Sequence, residues 1–236
     1  MTSVVVHRLM ATTQQTSVYP MLSQYVRDPF SSFSHLAGAL LAAIGLAFMV
    51  VKATALEHQF GLYLASYLVF GITLILMFTA SAVYHWLILS EDGIRQLKRI
   101  DHIAIFAVIA GTYTPFCLIS LQGTLGWWLF GVIWGIALLG IAMKIFWLHA
   151  PRFLSTVFYL AMGWACAIAI EPLSEALSEP ALFWLVTGGV CYSIGAVIYA
   201  LKWPNPWPEH FGFHEIWHLF VIGGAASHYI SIAHYL

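Results

Sequence analysis

Seven runs of mostly apolar residues, 19 to 29 long, constrain this chain more than any other feature of its 236 residues. They fall near residues 34–53, 61–89, 101–120, 125–147, 153–171, 182–201 and 213–235. A helix rises about 1.5 Å per residue, so roughly 20 apolar residues cross a hydrocarbon layer of about 30 Å. With 61% apolar and 8% charged residues, the chain cannot hide that surface in a water-soluble core, and lipid must be part of its solvent. The expected fold is an all-α, seven-transmembrane helix bundle.

The connectors are short and carry helix breakers: Glu91-Asp92-Gly93, Leu121-Gln122-Gly123, His149-Ala150-Pro151, Glu171-Pro172 and Trp203-Pro204-Asn205-Pro206. None is long enough to separate domains, so residues 28–236 read as one membrane domain. Residues 1–27, rich in Thr, Gln and Ser, read as a flexible cytoplasmic tail without the apolar core of a signal peptide. Met21, just ahead of the first span, could serve as an alternative start of translation.

Basic residues set the orientation. With the N-terminus cytoplasmic, Arg8, Arg27, Arg95, Lys98, Arg99, Lys144, Arg152 and Lys202 lie inside and only Lys52 lies outside. The odd number of spans then places the C-terminus outside. Glu171, Glu175 and Glu179 fall on the outer side, which is compatible because acidic residues contribute little to orientation. Trp127, Trp128, Trp203 and Trp207 fall at span ends, where amphipathic rings anchor at the interface. The charged residues form no basic footprint for nucleic acid, so no such partner is expected. Cys117, Cys166 and Cys191 sit in apolar runs without CxxC spacing and read as small core residues.

Ionisable groups in spans are costly, so those that converge are site candidates. Ser81 and His85 are four residues apart near the cytoplasmic end of span two, on one helix face about 6 Å apart along the axis. Asp101 opens span three at the same level. His214 and His218 repeat the four-residue spacing at the start of span seven. Two imidazoles one turn apart can reach one divalent ion, and a third from another helix completes the three-ligand set of catalytic zinc, with a fourth position open to water. His85, His214 and His218 form the expected ligand set, Asp101 the expected general base, and Ser81 a donor to the site or to a substrate carbonyl.

Each residue also has a plainer reading. A lone histidine at a span end is commonly an interfacial or core group, Asp101 could cap its helix beside Lys98 and Arg99, and Ser81 could be a packing residue. His214-Glu215-Ile216-Trp217-His218 also matches HExxH, which in metalloproteases makes the glutamate the base. Glu215 is rotated about 100° from His214, so it could instead face headgroups or a neighbouring helix. His35 is a secondary candidate that could approach the site or cap the bundle. His102, His228 and His234 read as structural. Pro115 is expected to kink span three, and Gly223-Gly224-Ala225-Ala226 to allow close helix approach.

At these residues the chain resembles the hemolysin III family, the bacterial branch of the progestin and adipoQ receptor superfamily. The matching segments are Asp28-Pro29 through His35-Leu36-Ala37-Gly38, Ser81-Ala82-Val83-Tyr84-His85, Arg99-Ile100-Asp101-His102 with Gly111-Thr112-Tyr113-Thr114-Pro115, and His214 through Phe220. The resemblance implies a seven-span bundle with the N-terminus inside, in a bacterial inner membrane. It also implies a zinc ion near the cytoplasmic face on histidines matching His85, His214 and His218, with Asp101 beside the water it activates. The superfamily includes alkaline ceramidases, so the leading expectation is a zinc-dependent hydrolase of a lipid amide or ester, with a membrane lipid as substrate. A lipid-sensing receptor with structural zinc and a pore-forming hemolysin are the alternatives. A pore would need polar residues recurring along several spans, and here they gather at one depth.

Overall fold

The computed structural model describes residues 22, 24–56, 59–147, 152–207 and 210–236. The tail over residues 1–27 therefore lies mostly outside the described residues, and the His149-Ala150-Pro151 connector lies wholly outside them. Seven helices among the described residues are long and apolar enough to cross a membrane. Helices α1 (Pro29–Thr54), α2 (Phe60–Trp86) and α3 (Glu91–Pro115, continued by a wider π-turn segment Phe116–Leu121) form the first three spans. Helix α4 is Gly123–Phe146, and α5 is Arg152–Trp164. A tightened 3₁₀ stretch, Ala165–Ala169, joins α5 to α6 (Ile170–Ala176), and together these make the fifth span. The last two are α7 (Glu179–Leu201) and α8 (Phe213–Tyr235). The protein is a multi-pass membrane protein.

Consecutive helices pack on one another, and α8 returns to α1 to close the ring. α3 is the central helix: 67% of its apolar window is buried inside the bundle, against 17–44% for the others. The outward faces carry Leu40, Leu41, Ile44, Leu138, Leu139 and Ile168, all exposed, as lipid-facing surfaces must be. Small residues draw the helices together. A Cβ on Gly38 would stand 2.9 Å from the Phe78 ring, and one on Gly224 2.9 Å from the Tyr192 ring, whereas Gly223 meets only the Cys191 sulfur at 3.8 Å.

Two junctions differ from the sequence reading. The apolar run of span two extends to residue 89, but the helix stops at Trp86, and Ser90 starts α3 by accepting the Gly93 N–H. Glu91-Asp92-Gly93 is thus the first turn of α3, where acidic groups face the positive helix end. Glu171-Pro172 lies inside α6, because the break falls earlier, at Ala165. There the Tyr113 hydroxyl reaches the carbonyls of Met162 at 2.7 Å and Gly163 at 2.8 Å and accepts the Cys166 N–H at 2.8 Å. That one side chain satisfies backbone groups a tightened helix leaves open. After Pro115, span three widens into its π-turn segment, and the chain then reverses through Gln122 and Gly123, both at positive φ.

Lys144 also departs from its sequence role. It reads as one of the basic residues at the cytoplasmic interface, yet it is only 1% exposed and points into the bundle. The three cysteines are unpaired.

Candidate metal centre

Alternating helix directions bring the end of α2 and the starts of α1, α3 and α8 to one end of the bundle. There His85, His214 and His218 converge, with ligand nitrogens all within 4.8 Å of one another, and could hold a metal ion. His214 Nε2 lies 3.3 Å from His85 Nε2 and 3.2 Å from His218 Nε2. An imidazole nitrogen carries either a proton or a lone pair in its plane, so His214 Nε2 cannot donate to one neighbour and accept from the other. A cation taking a lone pair from each ring resolves both contacts. Nitrogens bound at about 2.0–2.1 Å to one tetrahedral ion lie roughly 3.4 Å apart, close to the separations found. The donor set therefore fits a metal such as zinc.

His85 is held by a residue the sequence reading gave no role. Asp28 Oδ2 accepts a hydrogen bond from His85 Nδ1 at 2.8 Å, which leaves the Nε2 lone pair facing the other histidines. The backbone fixes this pair: the Arg27 N–H donates to the Trp86 carbonyl at 3.1 Å and the Asp28 N–H to the His85 carbonyl at 2.9 Å. The Arg27 guanidinium lies over the Tyr84 ring at 4.2 Å and donates to Asp28 Oδ2 at 3.3 Å. Burial raises the Asp28 carboxyl, but the His85 contact and the Arg27 charge outweigh it and hold the group below its ordinary value.

Ser81 and Asp101 stand beside this cluster. Ser81 is buried, and the Asp101 carboxylate lies within electrostatic reach of both Ser81 and His85. His35 approaches the site from α1: its ring stacks on that of His218 at 3.9 Å between centroids and 33° between planes, and neither of its nitrogens has a hydrogen-bond partner. It lies outside the group of three nitrogens.

Glu215 is turned away from the cluster. Its Oε2 accepts the Gly212 N–H at 2.8 Å and its Oε1 accepts from the Ser31 hydroxyl at 3.5 Å, so it closes the first turn of α8 and ties it to α1. Asn205 assists by accepting the Phe213 N–H at 2.9 Å. His228, fourteen residues along α8 from His214, donates to the Leu185 carbonyl at 3.1 Å. His102 borders the same chamber as Asp101 despite its different helix face.

The cluster opens on a cavity of about 710 Å³, within the usual range of ligand pockets, roughly 300–1,000 Å³. Along α8 its wall runs from His214 to His228, about 21 Å at the helical rise. Its near end holds the histidines, Ser81, Asp101 and Lys98; its far end is lined by Phe116, Leu121, Leu129 and Leu173.

Comparison with known proteins agrees with this arrangement. Residues 23–229 match the family model described as haemolysin-III related. The chain is 35% identical to Hemolysin-3 of Bacillus cereus over 217 residues, 91% of this chain and 94% of that protein. It is 38% identical to the Hemolysin-3 homolog of Bacillus subtilis strain 168 over 205 residues, 87% and 92% of the two chains. It is 28% identical to the human monocyte to macrophage differentiation factor over 174 residues, 71% of this chain and 69% of that one. On this coverage the chain belongs to the haemolysin-III related family.

Proposed function

We propose that the protein is a zinc-dependent hydrolase of a lipid amide or ester in the bacterial inner membrane, with its site at the cytoplasmic face. The observation that carries this reading is the placement of three converging imidazole nitrogens at the polar head of a long, mostly apolar cavity. His85, His214 and His218 hold the ion, and Asp28 orients His85 through its Nδ1 proton. When bound, zinc acts as a Lewis acid and brings water toward ionisation near neutral pH. Asp101 would take a proton from the attacking water and return it to the leaving group. Ser81, beside Asp101, offers a hydroxyl to the carboxylate or to the substrate carbonyl.

The cavity supports a substrate with one long hydrocarbon chain lying in its far half and a polar group at its near end. The far end of the chamber is lined mostly by apolar side chains, and the ionisable groups gather at its near end, which supports a hydrolase over a pore. The occupied hydrogen bonds of Glu215 support Asp101 over Glu215 as the base. The test is elemental analysis of the purified protein followed by a screen of lipid amides and esters for turnover. Bound zinc with chelator-sensitive release of a fatty acid is expected. Protein that carries no zinc after purification with zinc supplied would overturn the reading.

A further inference from the structure

Lys144 is the chemistry-bearing residue that the metal centre leaves unexplained. It lies in the last turn of α4, only 1% exposed, and donates to the Ser155 hydroxyl of α5 at 2.5 Å; Ser155 is 6% exposed. Both residues line the same cavity as the histidines. Among the described residues no carboxylate lies within ion-pair distance of Lys144. An ammonium has three protons to donate, and among the described residues Lys144 donates to one hydroxyl.

A lysine at a helix end usually snorkels to the interface and leaves its charge in water. Lys144 instead turns inward, where an ammonium without a counter-ion is costly. A second cation, Lys98 of α3, also lines the chamber and stands within electrostatic reach of both Asp101 and Lys144. Lys98 has the Asp101 carboxylate within electrostatic reach, whereas Lys144 has no carboxylate within ion-pair distance among the described residues, so an anion entering beside Lys144 supplies the counter-charge it lacks. Beyond the two lysines the wall is mostly apolar, with Leu129, Phe116, Leu121 and Leu173 at its far end. A ligand satisfying both halves carries an anionic group at one end and an alkyl chain at the other.

We propose that Lys144, assisted by Lys98, is the headgroup subsite of this cavity, and that the ligand is a single-chain amphiphile bearing a carboxylate or phosphate. This deepens the hydrolase reading by naming a substrate class: a lipid whose scissile amide or ester lies beside Asp101 and whose headgroup is acidic. It rests on an amphiphile entering the cavity and not on the metal.

The test uses the full-length protein purified in neutral detergent with zinc supplied. Direct binding of tritiated dodecanoate and tritiated dodecanol is measured, with dodecyl phosphate, dodecyltrimethylammonium and inorganic phosphate as competitors. Wild-type protein should bind dodecanoate and dodecyl phosphate at least about ten-fold more tightly than dodecanol or the ammonium amphiphile, as charge-assisted hydrogen bonds require. Lys144→Met should remove that preference while dodecanol affinity and zinc content stay at the wild-type level. Lys98→Gln, on the half-exposed rim, should reduce the preference in part, and it serves if Lys144→Met fails to fold.

Equal binding of anionic, neutral and cationic amphiphiles by wild type would overturn the proposal, and so would an unchanged preference in a folded, zinc-loaded Lys144→Met protein. Inorganic phosphate competing as well as dodecyl phosphate would overturn the amphiphile in favour of a free anion. Zinc bound with no amphiphile bound would remove this inference and leave the metal centre standing.

Discussion

Replacing Asp28 with alanine tests whether the histidine cluster is organised as a metal site. The substitution removes the acceptor 2.8 Å from His85 Nδ1 and leaves that N–H, on a side chain only 4% exposed, without its partner. A stranded buried donor costs about 1–3 kcal/mol. Asp28 itself is 42% exposed, so water can partly replace it, and the lower half of that range, about 1–2 kcal/mol, is the better expectation. At about 1.4 kcal/mol per decade, zinc affinity should fall roughly 5- to 30-fold, consistent with the about 10- to 100-fold typical of residues that orient metal-binding histidines. Competition with a zinc-selective chelator, read by elemental analysis of the retained protein, measures the change. His85→Ala should lose far more. If Asp28→Ala held zinc as tightly as wild type while His85→Ala released it, the carboxylate would be a helix tether only. If neither variant changed zinc, the three nitrogens would not be a metal site.

Four further outcomes are expected. His214→Ala and His218→Ala should each lower bound zinc sharply, and His228→Ala, whose ring donates to the Leu185 carbonyl, should retain it; equal zinc in all three would refute the ligand assignment. Tags on the two termini should report opposite sides of the membrane, and finding both on one side would remove the seven-span arrangement. Asp101→Asn should keep zinc and lower turnover by about 10²- to 10⁴-fold, whereas Glu215→Gln should keep turnover and lose at most about 1 kcal/mol through weakened capping; the opposite pattern of activity would make Glu215 the base. Tyr113→Phe leaves the Cys166 N–H without its acceptor and should lower stability by about 1–3 kcal/mol in thermal unfolding of the solubilised protein, and an unchanged transition would show that water or a neighbour replaces the hydroxyl.

The spans were legible because hydrocarbon thickness acts on each stretch of chain independently, so apolar run length alone predicts a crossing helix. Helix ends were less legible, since they depend on particular hydrogen bonds. Leu87, Ile88 and Leu89 are apolar enough to continue α2, yet they lie outside it because Ser90 captures the Gly93 N–H and starts α3. The break in span five falls at Ala165, with no proline or glycine at that position to announce it. It depends on the Tyr113 hydroxyl fifty-three residues away, a contact that no local pattern encodes.

For the site, sequence position fixes depth in the membrane and leaves rotation to packing. The depths of His85, Asp101, His214 and His218 could be counted along their helices, and that sufficed to bring them to one end of the bundle. Asp28 was legible by the same count, because the start of span one must lie level with the end of span two. In the sequence it stood only as part of a segment that carries the family resemblance, with no role as a partner for His85. Rotation then divides residues of equal depth into different roles. Glu215 follows His214 directly, yet the Gly212 and Ser31 contacts take it to the α1 side while the imidazole faces the cavity. Lys144 shows the same division among cations: its place at a span end predicts an interfacial charge, and its azimuth on α4 turns that charge toward Ser155 and the chamber. A basic residue at a span end can therefore support an orientation count and still belong to a binding site, and only the direction in which its helix face points separates the two.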